Sequence, residues 1–354
     1  MTKKASIQTK PGTIYFIRER DVITGEVSPY VKIGLTSAER KAVERVDELS
    51  TGNPRELYVH HHAFVPCVSA VETALRYEFV LQNVNLEWHY FGPNSPKKLD
   101  DAIKRCDEIA AVFSTYTDVI DAANGLASVE STGPQSAPST EARDWQHHYL
   151  IHDYVVRLCA EVRTTQATES KAAVKRGEPA PVGTEVIERS TTKFDQNLFK
   201  SRFPEIYNAF VERKIVSRFR IVGELTPEEI AESPLVQQVK MAAQTYFELF
   251  ELRDGADESM HALAQARLQV DQLSKFSEME REIARCHLQV QCGNSPGIEE
   301  ICSWKRTAKD DLNVQALKEA HLDLWRECST TTSTSAAVMT RSAGKSAGTE
   351  LVQQ

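Results

Sequence analysis

Four side chains in the first hundred residues carry groups suited to proton transfer and anion handling, and they come in a fixed order. They are the phenol of Tyr15 in Thr13-Ile14-Tyr15, the ammonium of Lys32 in Lys32-Ile33-Gly34, the guanidinium of Arg45 and the carboxylate of Glu72. A phenol beside a cation can give up its proton and act as a base. A guanidinium presents a planar fork to oxyanions. A lone carboxylate is a hard oxygen ligand that suits Mg²⁺, which keeps several of its waters. Other metal-like groupings are weaker. In His60-His61-His62, strand alternation lets at most His60 and His62 share a face, short of the four ligands zinc usually takes. His148 and His152 stand at i,i+4 on an expected helix, but position 149 is Tyr where a zinc protease has Glu, so packing is the expected role. Cys286-His287, Cys292 and Cys302 have spacings unlike a zinc finger or ribbon.

These residues need elements to hold them. Thr13–Ile17 and Tyr30–Leu35 read as two strands of a hairpin. Thr36 and Glu39 suggest a capping box for a helix to about Ser50, with Ala42, Val46 and Leu49 on its buried face. Gly52-Asn53-Pro54 stops that helix, and Glu56–Phe64 reads as a third strand. Ser69 and Glu72 suggest a second capping box, opening a helix with Val71, Leu75 and Phe79 as its apolar stripe. Glu87–Phe91 is a short aromatic strand, so the order is β-β-α-β-α-β.

The ordered set resembles the GIY-YIG nuclease superfamily, in the T5orf172/MUG113-like branch, whose second motif commonly reads Lys-Ile-Gly. Residues 12–92 carry the likeness, from Tyr15 and Lys32-Ile33-Gly34 through Arg45, Leu49, Thr51, Gly52, Asn53 and Pro54 to Glu72 and Glu87-Trp88. The resemblance implies hydrolysis of a DNA phosphodiester with Mg²⁺ or Mn²⁺. It makes Tyr15, Lys32, Arg45 and Glu72 catalytic, with Glu72 as the metal ligand, Lys32 as the cation beside the phenol, and Arg76, Asn53 and Glu87 as DNA contacts. The sequence departs from the branch in two places. Arg76 stands where a histidine often follows the metal glutamate, and the late asparagine has only Asn83, Asn85 and Glu87 as counterparts. The alternative is therefore a catalytically inactive nucleic-acid-binding or protein-interaction protein with a vestigial nuclease domain.

Composition frames this reading. The 354 residues carry net charge −8, but the first hundred hold 13 Lys+Arg against 12 Asp+Glu, so the acidity lies in the remainder. That argues against strong indiscriminate DNA binding and leaves room for a local site. Seven scattered cysteines and the lack of an apolar leader fit a cytoplasmic protein. The expected class is α+β: a small antiparallel sheet flanked by helices over 1–123, a flexible linker at 124–142, a helical accessory region at 143–328 and a disordered tail at 329–354. Helices are expected from Pro96 to Ala123, from Asp195 to Val222 and on to Cys328, with the helices beyond Thr226 as a candidate oligomerisation surface. Lys200, Arg202, Arg213, Lys214, Arg218 and Arg220, interleaved with aromatics, read as a solvated helix face rather than a nucleic-acid contact. At an offset of 118 residues, Phe194–Lys200 with Phe203–Tyr207 lines up with Leu312–Lys318 and His321–Trp325, which reads either as two copies of a helical module or as coincidence between amphipathic helices.

Overall fold

The computed structural model describes residues 9–50, 53–85, 87–179 and 184–339. The chain is α+β: an N-terminal antiparallel sheet flanked by helices, then a mostly helical C-terminal region. β1 (Gly12–Arg20) and β2 (Val27–Ser37) form the expected hairpin, followed by α1 (Ala42–Ser50), β3 (Glu56–Val65), α2 (Val68–Glu78), β4 (Asn83–Asn85) and β5 (Trp88–Tyr90). The sheet order is β3-β1-β2-β5-β4, and every pairing is antiparallel. Strand alternation gives the sheet two buried faces. Ile14, Phe16, Val31 and Ile33 pack under α2 and α3 (Leu99–Leu126), while Tyr15, Ile17 and Leu57 lie under Ala42 and Val46 of α1.

Neither expected capping box in this unit forms. β2 runs on through Thr36 to Ser37, so α1 starts only at Ala42. α2 starts at Val68 after Cys67, which places Ser69 and Glu72 inside the helix. Glu72 is thus free of the capping duty that its spacing suggested. Gly52 of the expected helix stop, and Thr51 of the likeness, lie outside the described residues.

The rest of the chain begins with α4 (Thr140–Arg176), capped by Ser139 and ended by Gly177 in the left-handed region at φ 73°. β6 (Thr184–Phe194), α5 (Gln196–Arg202), α6 (Pro204–Ala209) and β7 (Val211–Ile221) follow. Next come α7 (Pro227–Glu232), α8 (Pro234–Leu252) and α9 (Asp257–Cys292). Last are β8 (Gly297–Ile298), β9 (Cys302–Leu312), α10 (Val314–Ala320), α11 (Leu322–Glu327) and β10 (Ser329–Met339). Where helices were expected over 211–221 and 302–312, the chain forms β7 and β9, paired along their whole length. The first part of the expected disordered tail is β10, paired with β6, and residues 340–354 lie outside the described residues.

The 118-residue offset now relates four whole elements. Shifted by it, β6, α5, α6 and β7 fall on β9, α10, α11 and β10. The segment expected as a flexible linker is fastened to this module. Ser131 N–H donates to the Arg306 carbonyl at 3.0 Å, Thr132 N–H to that of Asn294 at 2.8 Å, and Ser136 bridges to Ile298. α9 packs on α2, α3, α4 and α8, and its Met279, Ile283 and Cys286 complete the N-terminal core. All seven cysteines are free and buried, and no helix of the described residues is long and apolar enough to cross a membrane.

Candidate active site

Cross-strand register sets the base of the site. Tyr15 pairs with Gly34 and Ile17 with Lys32, so the phenol and the ammonium leave the same face of the sheet. The Tyr15 ring lies directly over Gly34, where a Cβ would stand 2.6 Å from the phenol oxygen. The glycine of Lys32-Ile33-Gly34 is thus the floor on which the ring rests. α1 covers this face and brings Arg45, whose guanidinium lies close enough to act on the Tyr15 phenol and hydrogen-bonds Glu48 at 2.6 Å.

The carboxylates come from elsewhere. Arg76, one turn after Glu72 on α2, donates to Glu72 Oε1 at 3.0 Å and to Glu87 Oε1 at 3.1 Å. Glu87, just before β5, also accepts a hydrogen bond from Lys32 Nζ. The result is a chain of alternating charge, Glu72–Arg76–Glu87–Lys32. Glu72, Glu87 and Arg45 all act electrostatically on the Tyr15 phenol. The side chain of Tyr15 is only 1% exposed, so the more open Arg45 and Glu87, at 36% and 33%, form the mouth of the site.

The charge states follow from burial and neighbours. Burial pushes Tyr15 up, and the Glu87 and Glu72 charges add to that, against the Arg45 hydrogen bond and charge. The expectation that Lys32 keeps the phenol ionised is therefore corrected: the Lys32 ammonium is spent on Glu87, and Tyr15 is a neutral phenol. Burial also pushes Glu72 up, with help from Glu87 and against Arg76, Lys275 and Lys32. Burial works to raise Glu87 too, but the Lys32 hydrogen bond and charge, together with Arg76, outweigh it and hold Glu87 below the usual carboxylate value.

Tyr15, Lys32, Arg45 and Glu72 are thus brought into one neighbourhood, with Arg76 and Glu87 inside it. Asn53 is engaged locally: its Oδ1 accepts the Arg55 N–H at 3.0 Å and closes a turn. Asn83 is buried behind Glu87 beside His89, whose ring contacts the Glu87 carbonyl and is pushed down to about 4 by burial. The side chain of Asn85 lies outside the described residues. Lys275 on α9 reaches Glu72 electrostatically and was missed, because nothing in its local sequence says which surface α9 covers.

The histidine triple is also corrected. A register shift between Phe16 and Ile17 inserts His60 as an extra residue in β3. His61 then pairs with Phe16, His62 pairs with Tyr15, and His60 lines a small cavity with Arg18, Val31 and Asp100 on the α3 side. His60 and His62 therefore face opposite sides of the sheet. The basic cluster of the C-terminal region disperses as well. Lys200 lies over Tyr207, Arg202 pairs with Glu327, Lys214 pairs with Asp311, and only Arg213, Arg218 and Arg220 stand exposed on β7 without such a partner among the described residues. No family model, curated protein or solved structure matches the chain.

Proposed function

We propose that the chain is a DNA endonuclease of the GIY-YIG kind, dependent on Mg²⁺ or Mn²⁺. The observation that supports this reading is that Glu72 of α2 and Glu87 come within electrostatic reach of Tyr15, with Arg45 beside the phenol and Lys32 bonded to Glu87. The donor set fits a magnesium-class ion. Glu72 is a hard oxygen ligand whose carboxyl burial and Glu87 push up, against Arg76, Lys275 and Lys32. Glu72, with Glu87 beside it, would hold the ion, which when bound supplies charge neutralisation at the leaving 3′ oxygen.

The chain's own residues do the rest. Arg45, beside the Tyr15 phenol, offers its guanidinium to the phosphate oxygens as negative charge gathers there. The neutral Tyr15 hydroxyl would orient the attacking water, whose proton passes to solvent while the leaving 3′ oxygen takes one up. Arg76 spans both carboxylates, so an incoming phosphate competes for its guanidinium and loosens its hold on Glu72.

The same Arg76 clamp and the buried neutral Tyr15 favour a second reading, a module that binds nucleic acid without cutting it. Supercoiled plasmid separates the two. Nicking with Mg²⁺ or Mn²⁺, absent with chelator and at least about 100-fold weaker in Glu72→Gln, is the result expected of the endonuclease. Salt-sensitive binding without nicking gives the second reading. Equal cleavage by both proteins removes Glu72 from the reaction.

A further inference from the structure

We propose that His148, His152 and Glu280 form a binding site for a zinc-class transition-metal ion, tying α4 to α9. The sequence places the two histidines one turn apart on α4, and the fold supplies the third ligand from α9. One ring nitrogen of each histidine and one Glu280 oxygen all lie within 4.8 Å of one another. His148 Nε2 and Glu280 Oε2 are 3.1 Å apart. Two ligands on a tetrahedral zinc stand about 3.3 Å apart at ordinary zinc–ligand distances, so this pair is already at that separation. The two imidazole rings are 4.6 Å apart between centroids.

Two further observations point to a ligand rather than to packing. His152 is 4% exposed, and its Nδ1 is buried without a hydrogen-bond partner in the described structure. An unmet nitrogen in such a place costs free energy that an ion, or a ring turn toward one, would return. The surroundings also tolerate a cation. Arg281, the nearby positive group, is already paired with Asp153 at 2.8 Å.

The ligand types select the ion. Two imidazoles and one carboxylate suit zinc and its neighbours, whereas magnesium prefers oxygen alone. Phe276, 6.0 Å from the His152 ring, and Trp145, 5.5 Å from the His148 ring, wall the inner side. The His148 side chain is 37% exposed and that of Glu280 20%, which leaves an outer coordination position open to water. The site is separate from the Glu72 cluster and stands whether or not the chain cuts DNA.

The test uses the full chain stripped with chelator and titrated with Zn²⁺ alone. His152→Ala removes a buried group and can fail to fold, so the more exposed ligands carry the test: His148→Ala, Glu280→Gln and the double variant. The expected result is one Zn²⁺ per chain by metal analysis, with affinity at least tenfold weaker in each single variant. Zn²⁺ should raise the melting temperature of the parent but not of the double variant. No stoichiometric zinc in the parent, or undiminished binding and stabilisation in the double variant, overturns the site.

Discussion

Gly34 and Tyr15 depend on each other in a way that makes the glycine a functional residue without any chemistry of its own. A methyl group at position 34 would lie 2.6 Å from the phenol oxygen and 2.8 Å from two ring carbons, and a ring that is 1% exposed has nowhere to swing. Gly34→Ala is expected to cost about 1–3 kcal/mol, as overpacking does, and to abolish nicking by displacing Tyr15 from Arg45. Thermal unfolding beside the plasmid assay checks both effects, and an unchanged melt would refute the contact. Glu72 behaves in the opposite sense. Its folded value is raised above the unfolded one, so the native state binds more protons across that window and stability falls as pH rises through it. Glu72→Gln removes that loss, so the variant should melt no lower than the parent at pH 7 while losing activity, the pattern of a group kept at some cost to stability. A variant that melts well below the parent at pH 7 would contradict this. Tyr15, Lys32, Arg45 and Glu72 were legible because each sits on a recognisable element. The place of Glu87 was not, because it depends on β5 pairing with β2, which sets Trp88 opposite Lys32.

α9 shows why element type is easier to read than element partners. Its long helical pattern is plain in the sequence, yet one stretch of it closes the core of a sheet more than two hundred residues earlier. Ile283 is 1% exposed among Ile14, Phe16 and Leu75 of the N-terminal unit. Tyr77 of α2 stacks on Phe276 at 4.2 Å, and its hydroxyl donates to Gln238 of α8 at 2.8 Å. The site's sheet and the C-terminal helices are therefore one packed body at this seam. Ile283→Ala should destabilise the chain by about 2–5 kcal/mol, a typical loss for a buried aliphatic side chain. Hydrogen exchange should report faster opening in α2 and α3 as well as in α9, and opening confined to α9 would refute the shared core. β7 and β9 were unreadable for a related reason. Val211–Ile221 mixes Arg, Lys and Glu with apolar residues at no clean period, and what makes it a strand is pairing with Cys302–Leu312, far along the chain. Local pattern carries no trace of a partner that distant.

At the scale of the molecule, the repeat explains that pairing. The two β-α-α-β copies do not fold side by side; they exchange strands, β7 of the first pairing with β9 of the second and β6 with β10. The exchange is symmetric to the residue. Val211 opposite Leu312 becomes Ser329 opposite Phe194 under the same shift, and the Asp195 N–H bond to the Cys328 carbonyl at 2.8 Å has its twin in Asn313 N–H to Phe210 at 2.9 Å. Lys200 over Tyr207 is matched by Lys318 over Trp325, at 5.2 and 4.6 Å from the ring centres. Coincidence between amphipathic helices does not produce shared registers, caps and ring contacts, so the two copies are one module used twice. Their common core is small, with Phe199 and its counterpart Leu317 both fully buried in it. Because each copy supplies half of both ribbons, neither has a complete fold to fall back on when the other is loosened. Phe199→Ala should cost about 3–5 kcal/mol and Leu317→Ala about 2–5 kcal/mol. Either substitution should release the same amides, in α5, α6, α10, α11 and both ribbons, while β1 and β2 keep their protection. If Leu317→Ala opened only α10 and α11 and left α5 protected, the copies would be independent neighbours, and the strand exchange would hold no cooperative unit together.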